Sequence, residues 1–298
     1  MRPGWSNRWR LWRPVSILHA VVVAGFLLFL LLPVYWLIAT SLSSPLALVR
    51  MPPEWIPLPP DLTAYRALLT GRADAGSAET LTTFTIRAFQ YALRNSVIVA
   101  AAVTALALAL GFLSAAAFTR LDVPFGHAVI YLILLGQMIP PVVLLIPLYV
   151  TATRFGVLDN LLTVIALLTA LHLPFVIWIL RSYLLTIPKE LEEAAQVDGA
   201  SFPGALLRVT FPLTLPGLVA AGAYTFMQTW NAFLIPLIFT SSDTKRTVTV
   251  AVAMFVGRHY TDYALLAAAG VLAFVPPVVF ALFFQRYLLH GLASGAVK

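Results

Sequence analysis

The sequence predicts an all-helical membrane protein that crosses the membrane six times. Of its 298 residues, 60% are apolar and only 10% are charged, whereas an average soluble domain is roughly 45–50% apolar and about 25% charged. Six segments are long and apolar enough to cross roughly 30 Å of hydrocarbon as helices. None of them shows the alternation typical of a membrane β-strand. The composition therefore excludes a soluble enzyme, a disordered chain and a conventional nucleic-acid-binding protein.

Three longer segments separate the predicted spans, at 40–91, 184–212 and 240–262. The first is rich in proline, which favours extended chain on the membrane surface. We expect the first and third to be external and the second to be cytoplasmic. Prolines inside the third, fourth and sixth spans can kink these helices. The predicted spans are 15–39, 92–118, 126–152, 161–183, 213–239 and 263–286.

Basic residues at the start of the chain predict its orientation. The first 14 residues contain four arginines and no acidic residue, so this segment should stay in the cytoplasm. Six crossings then return the C-terminus to the same side, and residues 15–298 form one transmembrane domain. A cleavable signal peptide is the alternative, but the apolar stretch of about 25 residues exceeds a typical signal core. The arginines are Arg2, Arg8, Arg10 and Arg13.

Missing motifs narrow the possible functions further. The sequence has no G-x-x-x-x-G-K-[ST] phosphate loop, no H-E-x-x-H zinc motif and no G-x-S-x-G nucleophile motif. It contains no cysteine, which excludes thiolate chemistry. None of the predicted spans contains Asp or Glu, although ion-driven carriers commonly use such carboxylates; carbonyl-coordinated ions remain open. Energy for uphill transport would therefore have to come from another subunit.

The segment 187–217 predicts a helical elbow between the fourth and fifth spans. Acidic residues near its start favour the positive end of a short helix, and Gly199 provides a natural stop. Ser201 can cap a second short helix, which should end at Pro212 where the fifth span begins. An elbow lying on anionic lipid would favour basic residues, so the acidity favours docking to a protein. The acidic residues are Glu190, Glu192, Glu193 and Asp198.

The elbow resembles the EAA loop of ABC-importer permeases. The pattern of that loop is E-A-A, three residues, G, nine residues and I-x-L-P. Every spacing is matched here, with Val209 in place of isoleucine and Phe211 in place of leucine. Asp198 and Ala200 extend the match to the D-G-A form typical of sugar importers. The remaining matching residues are Glu193, Ala194, Ala195, Gly199 and Pro212.

Other stretches extend the resemblance over most of the chain. The runs at 32–42, 230–239 and 285–298 are similar to maltose-type sugar permeases, and the last is typical of the smaller permease subunit. The resemblance implies a multi-pass protein of the bacterial or archaeal inner membrane, surrounded by lipid. It also implies that Glu193 and Gly199 belong to a coupling helix that docks on an ATPase subunit.

The resemblance further implies a set of partners. These are a second homologous permease, two ATPase subunits that bind ATP and Mg, an extracytoplasmic binding protein and a sugar or oligosaccharide. No cofactor or metal is expected in this chain. The alternatives are an ABC permease for a non-sugar solute, a self-sufficient carrier or channel and, last, a membrane-embedded enzyme.

Polar residues inside the predicted spans are candidates for a substrate pathway. Tyr224, Gln228 and Asn231 share one helix face, and Gln137 is an isolated amide in the third span. Aromatic rings and amides suit sugar binding, but they also form hydrogen bonds between membrane helices. His172 is either a functional ionisable group or a neutral packing residue, and one histidine predicts no metal site.

Overall fold

The computed structural model describes residues 13–72, 79–256 and 261–293. In these residues the chain forms twelve α-helices and no β-structure beyond a single bridge, which confirms the all-helical fold class. The predicted cytoplasmic segment 1–14 and the tail lie partly outside the described residues. The helices are α1 (Arg13–Ser41), α2 (Thr63–Thr70), α3 (Glu79–Arg120), α4 (Gly126–Gly136), α5 (Pro141–Arg154), α6 (Leu161–Leu184), α7 (Glu190–Val197), α8 (Phe202–Ala205), α9 (Phe211–Trp230), α10 (Leu234–Phe239), α11 (Val248–Ala253) and α12 (Tyr263–Ala293).

Five helical stretches in the described part are long and apolar enough to cross a membrane, and a bent pair forms a sixth candidate. The stretches formed by α1, α6 and α12 lie where the sequence predicts the first, fourth and sixth spans. The most apolar window of α1 contains no buried residue, and α1 packs mainly against α12. An apolar surface of that extent is stable only against lipid or another protein.

The centre of the bundle is the group α3, α6 and α9, which pack closely because small residues lie at their interfaces. A Cβ added to Gly111 of α3 would lie 2.6 Å from a methyl carbon of Val176 on α6. A Cβ added to Gly217 of α9 would lie 2.8 Å from the ring of Tyr183 on α6. These glycines let the three backbones approach one another, so the central helices form the frame on which the other elements are placed.

The third predicted span, 126–152, is not one helix. It consists of α4 and α5, which are bent by 92° where they meet. Pro140 and Pro141 explain the bend, because Pro141 disfavours a helical conformation of the preceding residue and neither proline donates an amide hydrogen bond. The break exposes the connecting residues and places Gln137 beside it.

The fifth predicted span, 213–239, is shifted at both ends. Helix continues from Phe202 to Trp230 through a π-helical segment at Leu206–Thr210, so the second elbow helix does not end at Pro212 as predicted. Pro212 has no amide hydrogen to donate to the preceding turn, and the wider π-helical turn that ends at Thr210 lets the helix continue past it.

The other end of that span stops early, and α10 is a separate short helix. The ring of Pro236 would clash with the carbonyl oxygen four residues earlier if the helix continued. That oxygen, on Ala232, instead accepts a hydrogen bond from the Thr249 hydroxyl at 2.7 Å. The displaced chain is thereby tied to the segment that follows it.

The segment 40–91 was predicted to be extended, but it contains α2 and the first turns of α3. The Asp61 carboxylate caps α2 by accepting from the Thr63 amide at 2.9 Å and its hydroxyl at 2.6 Å. Gly71, with φ of +73°, ends the helix. Polar residues dominate the start of α3, so an apolar window could not detect it. The second loop, 240–262, likewise contains α11.

Candidate functional site

The elbow joins α6 to α9 at one end of the bundle, called here the elbow end. Gly199 follows its first helix, α7, with φ of +91°. In that left-handed conformation the amides of Gly199 and Ala200 return to the carbonyls of Gln196 and Ala195, each at 3.0 Å. A residue with a Cβ rarely adopts this conformation, so the predicted stop at glycine is confirmed.

Ser201 starts the second part of the elbow as predicted. Its hydroxyl accepts a hydrogen bond from the Gly204 amide at 3.3 Å, and Pro203 lies in the first turn, where a missing amide hydrogen is harmless. Ala205 and Leu206 are buried and fix this helix against the bundle. The elbow therefore consists of two short helical segments joined by a defined turn.

The outer surface of α7 is available to another protein. Glu193, Ala194, Asp198 and Gly199 are exposed, and Val197 is 87% exposed. An apolar side chain and small residues beside two carboxylates form a surface that can enter a groove with basic residues at its edge. Of the other predicted coupling residues, Ala195 and Ala200 are partly buried and Pro212 is exposed.

Glu192, one of the acidic residues that the sequence predicts to favour docking to a protein, instead lies on the inner side of α7. Glu192 is 4% exposed, and its carboxylate lies 2.6 Å from the guanidinium Nε of Arg120 at the end of α3. No sequence spacing pointed to its partner, Arg120, which follows a long apolar span and precedes Asp122 by two positions. This contact joins the elbow to the central helices.

A second group of predicted residues lies within the membrane-spanning part of the bundle. The Gln137 amide donates to the carbonyl oxygen of Leu171 on α6 at 3.1 Å, which places the α4–α5 break beside α6. The Gln228 amide lies 3.3 Å from the Tyr224 hydroxyl, and the Asn231 amide donates to its own helix at 2.9 Å. All three amide side chains belong to exposed residues, and Tyr224 is partly buried.

Aromatic side chains of α6 connect these polar residues. The rings of Phe175 and Tyr224 have centroids 4.3 Å apart, and Trp178 lies 5.6 Å from Phe175. His172 packs edge-on against Tyr224 at 6.4 Å, while its Nε2 is buried without a hydrogen-bond partner among the described residues. The sequence did not identify Phe175 and Trp178, because aromatic residues are common throughout the spans.

The opposite end of the bundle is held by side chains that bind a loop backbone. The Asp159 carboxylate accepts from the amides of Ser241 and Ser242, both at 2.9 Å, and from the Ser242 hydroxyl. Burial by itself raises the pKa of Asp159, but these hydrogen bonds and the charge of Lys245 lower that pKa below its usual value. The carboxylate is therefore ionised at neutral pH.

The same loop, residues 240–247, is also tied to α3. The fully buried Asn95 donates to the carbonyl oxygens of Thr244 and Arg246 at 2.8 and 2.9 Å. The Ser96 hydroxyl accepts from the Val248 amide at 2.8 Å. Residues far apart in sequence thus fix the loop at this end of the bundle.

A bundle of apolar helices with an exposed elbow at one end and a polar patch in its spanning part fits a membrane transport permease. The chain belongs to the family of binding-protein-dependent transport system inner membrane components, whose pattern matches residues 107–294. It is accordingly an inner membrane protein, and the resemblance found in the elbow is confirmed for the chain as a whole.

Relatives match nearly the whole chain. The trehalose/maltose transport system permease protein MalG of Thermococcus litoralis is 31% identical over 96% of this chain and 97% of its own. The sulfoquinovosyl glycerol transport system permease protein SmoH of Agrobacterium fabrum is 31% identical over 90% and 89%. A bacterial ABC transporter involved in alginate import has the same fold, with a TM-score of 0.77, 20% identity and coverage of 96% and 99%.

Proposed function

We propose that this protein is a permease subunit of an ATP-driven importer for a sugar or oligosaccharide. The observation that carries the proposal is the exposed α7 with its E-A-A pattern and left-handed Gly199, in a chain that belongs to the importer family. Relatives named for trehalose/maltose and for sulfoquinovosyl glycerol favour a sugar as the substrate.

The elbow end faces the cytoplasm in this proposal. The arginine-rich start of the chain precedes α1 and favours a cytoplasmic N-terminus. Crossing by α1, return by α3, crossing by the bent α4–α5 pair and return by α6 bring the elbow to that same side. The C-terminus then also lies in the cytoplasm, and the Asp159 loops are external.

In the proposed complex, two ATPase subunits bind ATP and Mg, and one of them receives the outer surface of α7. Glu193, Ala194 and Asp198 form the contact, while Gly199 sets the turn that presents it. A second, homologous permease completes the pathway, and an extracytoplasmic binding protein delivers the sugar. This chain performs no covalent chemistry and holds no cofactor.

The polar and aromatic patch of α6 and α9 lines the sugar pathway in this proposal. Amides donate and accept hydrogen bonds with sugar hydroxyls, and aromatic faces pack against the apolar faces of sugar rings. The patch supplies both, because exposed Gln228 and Trp178 flank Tyr224 and Phe175. Gln137 and Asn231 extend it toward the α4–α5 break and the end of α9.

Replacing Gly199 by valine tests the coupling role. At φ of +91° a β-branched residue is strained, so the turn must change and displace the docking surface. We expect sugar uptake by the assembled importer to fall at least about tenfold, in the range of typical coupling energies. Uptake of radiolabelled maltose and trehalose into vesicles measures the effect.

Gly156→Val is the matched control, because Gly156 also has a positive φ, +65°, and open space around its Cβ position, but lies at the opposite end. Uptake should change much less in this variant. Equal losses in both variants would assign the effect to general strain and not to coupling.

Replacing Gln228 and Asn231 together by alanine tests the pathway. If the two amides bind sugar, the concentration of maltose or trehalose needed for half-maximal uptake rises, or the preference between the two sugars changes. About 1 kcal/mol for each lost hydrogen bond corresponds to roughly a fivefold effect. Unaltered uptake and preference would assign both residues to helix packing.

A further inference from the structure

The buried contact of Arg120 with Glu192 differs from other ion pairs of the molecule. The two residues are 72 positions apart, their charged atoms lie 2.6 Å apart, and their side chains are 3% and 5% exposed. The other two ion pairs in the described residues join neighbours three or four positions apart and are more exposed. Among the ion pairs of the described residues, only the first therefore links distant elements through buried charge.

The remaining nitrogens of Arg120 bind the end of α6. They donate to the carbonyl oxygens of Leu184 at 3.3 Å and Ile187 at 3.1 Å. Carbonyls at the end of a helix lack partners within the helix, and a cation is favourable at that position. One guanidinium thus holds the end of α6, the chain leading into α7, and α7 itself.

The same carboxylate oxygen of Glu192 also accepts from the Thr210 hydroxyl at 2.6 Å. Thr210 is fully buried and ends the π-helical segment that leads into α9. Its carbonyl oxygen accepts from Thr214 one turn later. Because π-helical turns are rare and often found at functional positions, the link between α7 and the start of α9 is a specific local feature.

We propose that Arg120, Glu192 and Thr210 form a clamp that makes the elbow and the central helices move as one body. Removing either charge from its buried partner is very unfavourable, so a force on α7 is carried to α3, α6 and α9 and is not absorbed by the connecting turns. The three residues are positioning residues, since none faces the outer surface of α7. This role rests on the proposed function.

The mechanical part is tested in this chain alone by distances between spin labels. The chain contains no cysteine, so labels attach only at cysteines introduced at exposed Val197 on α7 and exposed Asp122 after α3. We expect a narrow distance distribution for the otherwise unchanged protein in lipid nanodiscs. It should broaden in Thr210→Val and in the double variant Arg120→Met/Glu192→Leu, which removes both charges and leaves neither unpaired.

The coupling part is tested in the assembled importer with radiolabelled maltose and trehalose. In the double variant, the amount of sugar taken up per ATP hydrolysed should fall about tenfold, as expected for loss of a typical coupling energy. Thr210→Val should lower it less, and Thr210→Ser should restore it by keeping the hydroxyl. Asp122→Asn is the matched control, because Asp122 is an exposed acid at the same end that lies outside the elbow.

The outcomes separate the clamp from the proposed function. Narrow distances in both altered proteins, or broad distances with unchanged uptake per ATP, would overturn the clamp. If Thr210→Ser and Thr210→Val behave alike, the Thr210 hydroxyl is not part of the clamp. If the unaltered complex shows no ATP-dependent uptake, the proposed function falls and the coupling role with it, while the distances still show whether the ion pair holds the elbow.

Discussion

The two ends of the bundle fix their connecting segments in different ways. At the elbow end, the buried Glu192 carboxylate binds a guanidinium and a hydroxyl. At the opposite end, the partly buried Asp159 carboxylate binds two backbone amides and a serine hydroxyl, and Asn95 binds two carbonyl oxygens. One end thus depends on paired buried charge, and the other on polar side chains that satisfy loop backbone.

This difference bears on what each end can do. A buried ion pair is strongly destabilised when one partner is lost, so the elbow end should behave as a single unit. Separate hydrogen bonds from side chains to a loop backbone each contribute modestly, so residues 240–247 can loosen in steps. In the proposed importer, the rigid end meets the ATPase and the adaptable end faces the binding protein.

The largest expected effect is loss of one partner of the buried pair. Glu192→Gln leaves the Arg120 charge buried and unpaired, which should lower the free energy of unfolding by about 3–5 kcal/mol. A lower thermal unfolding temperature of the purified protein in detergent would show this.

The double variant Arg120→Met/Glu192→Leu should recover most of that loss, because it leaves no charge unpaired. If the double variant is less stable than Glu192→Gln, the pairing explanation is wrong and the side chains act through packing.

A smaller effect is expected for Asn95→Ala at the opposite end. The variant removes two hydrogen bonds from a buried amide to the loop, at a cost of about 2 kcal/mol. Hydrogen exchange of the amides in residues 240–247 should become faster, while exchange in α7 should stay unchanged. Faster exchange at both ends would show that the two ends are not independent.

The smallest effect is a pH dependence of the same loop. Because the pKa of Asp159 is lower in the folded protein than in an unfolded chain, its hydrogen bonds stabilise the loop above the unfolded pKa. That stabilisation is lost as the pH falls through the folded pKa. Hydrogen exchange or proteolysis of residues 240–247 should accelerate upon acidification.

Asp159→Asn should show the accelerated rates at neutral pH and lose this pH dependence. Asp122→Asn, which changes an exposed acid at the elbow end, should retain it. The assignment to Asp159 fails if both variants respond to pH like the unaltered protein.

Features with local sequence signals could be predicted. The stop at Gly199 and the Ser201 cap depend on the conformational preferences of single residues, and the structure has both. The spans formed by α1, α6 and α12 could be predicted because each is a continuous run of apolar residues long enough to cross a membrane. A few residues at the right spacing in the elbow indicated the family, and the family match over residues 107–294 confirms that prediction.

Features that depend on packing could not be predicted. Prolines 140 and 141 were visible, but a proline does not reveal whether its helix kinks slightly or turns by 92°. Near the end of α9, the Thr249 hydroxyl donates a hydrogen bond to the carbonyl oxygen of Ala232. This contact forms only when the chain is folded, so the sequence does not reveal it. The contact of Arg120 with Glu192 spans 72 residues, and no spacing rule links such positions.

The central claim is that this chain moves sugar only when partner subunits supply ATP energy through the elbow. Uptake of radiolabelled maltose and trehalose should be measured in proteoliposomes that contain either the chain alone or the full complex with its binding protein. We expect uptake by the full complex with ATP, none without nucleotide and none by the chain alone. Sugar uptake by the chain alone without nucleotide would contradict it.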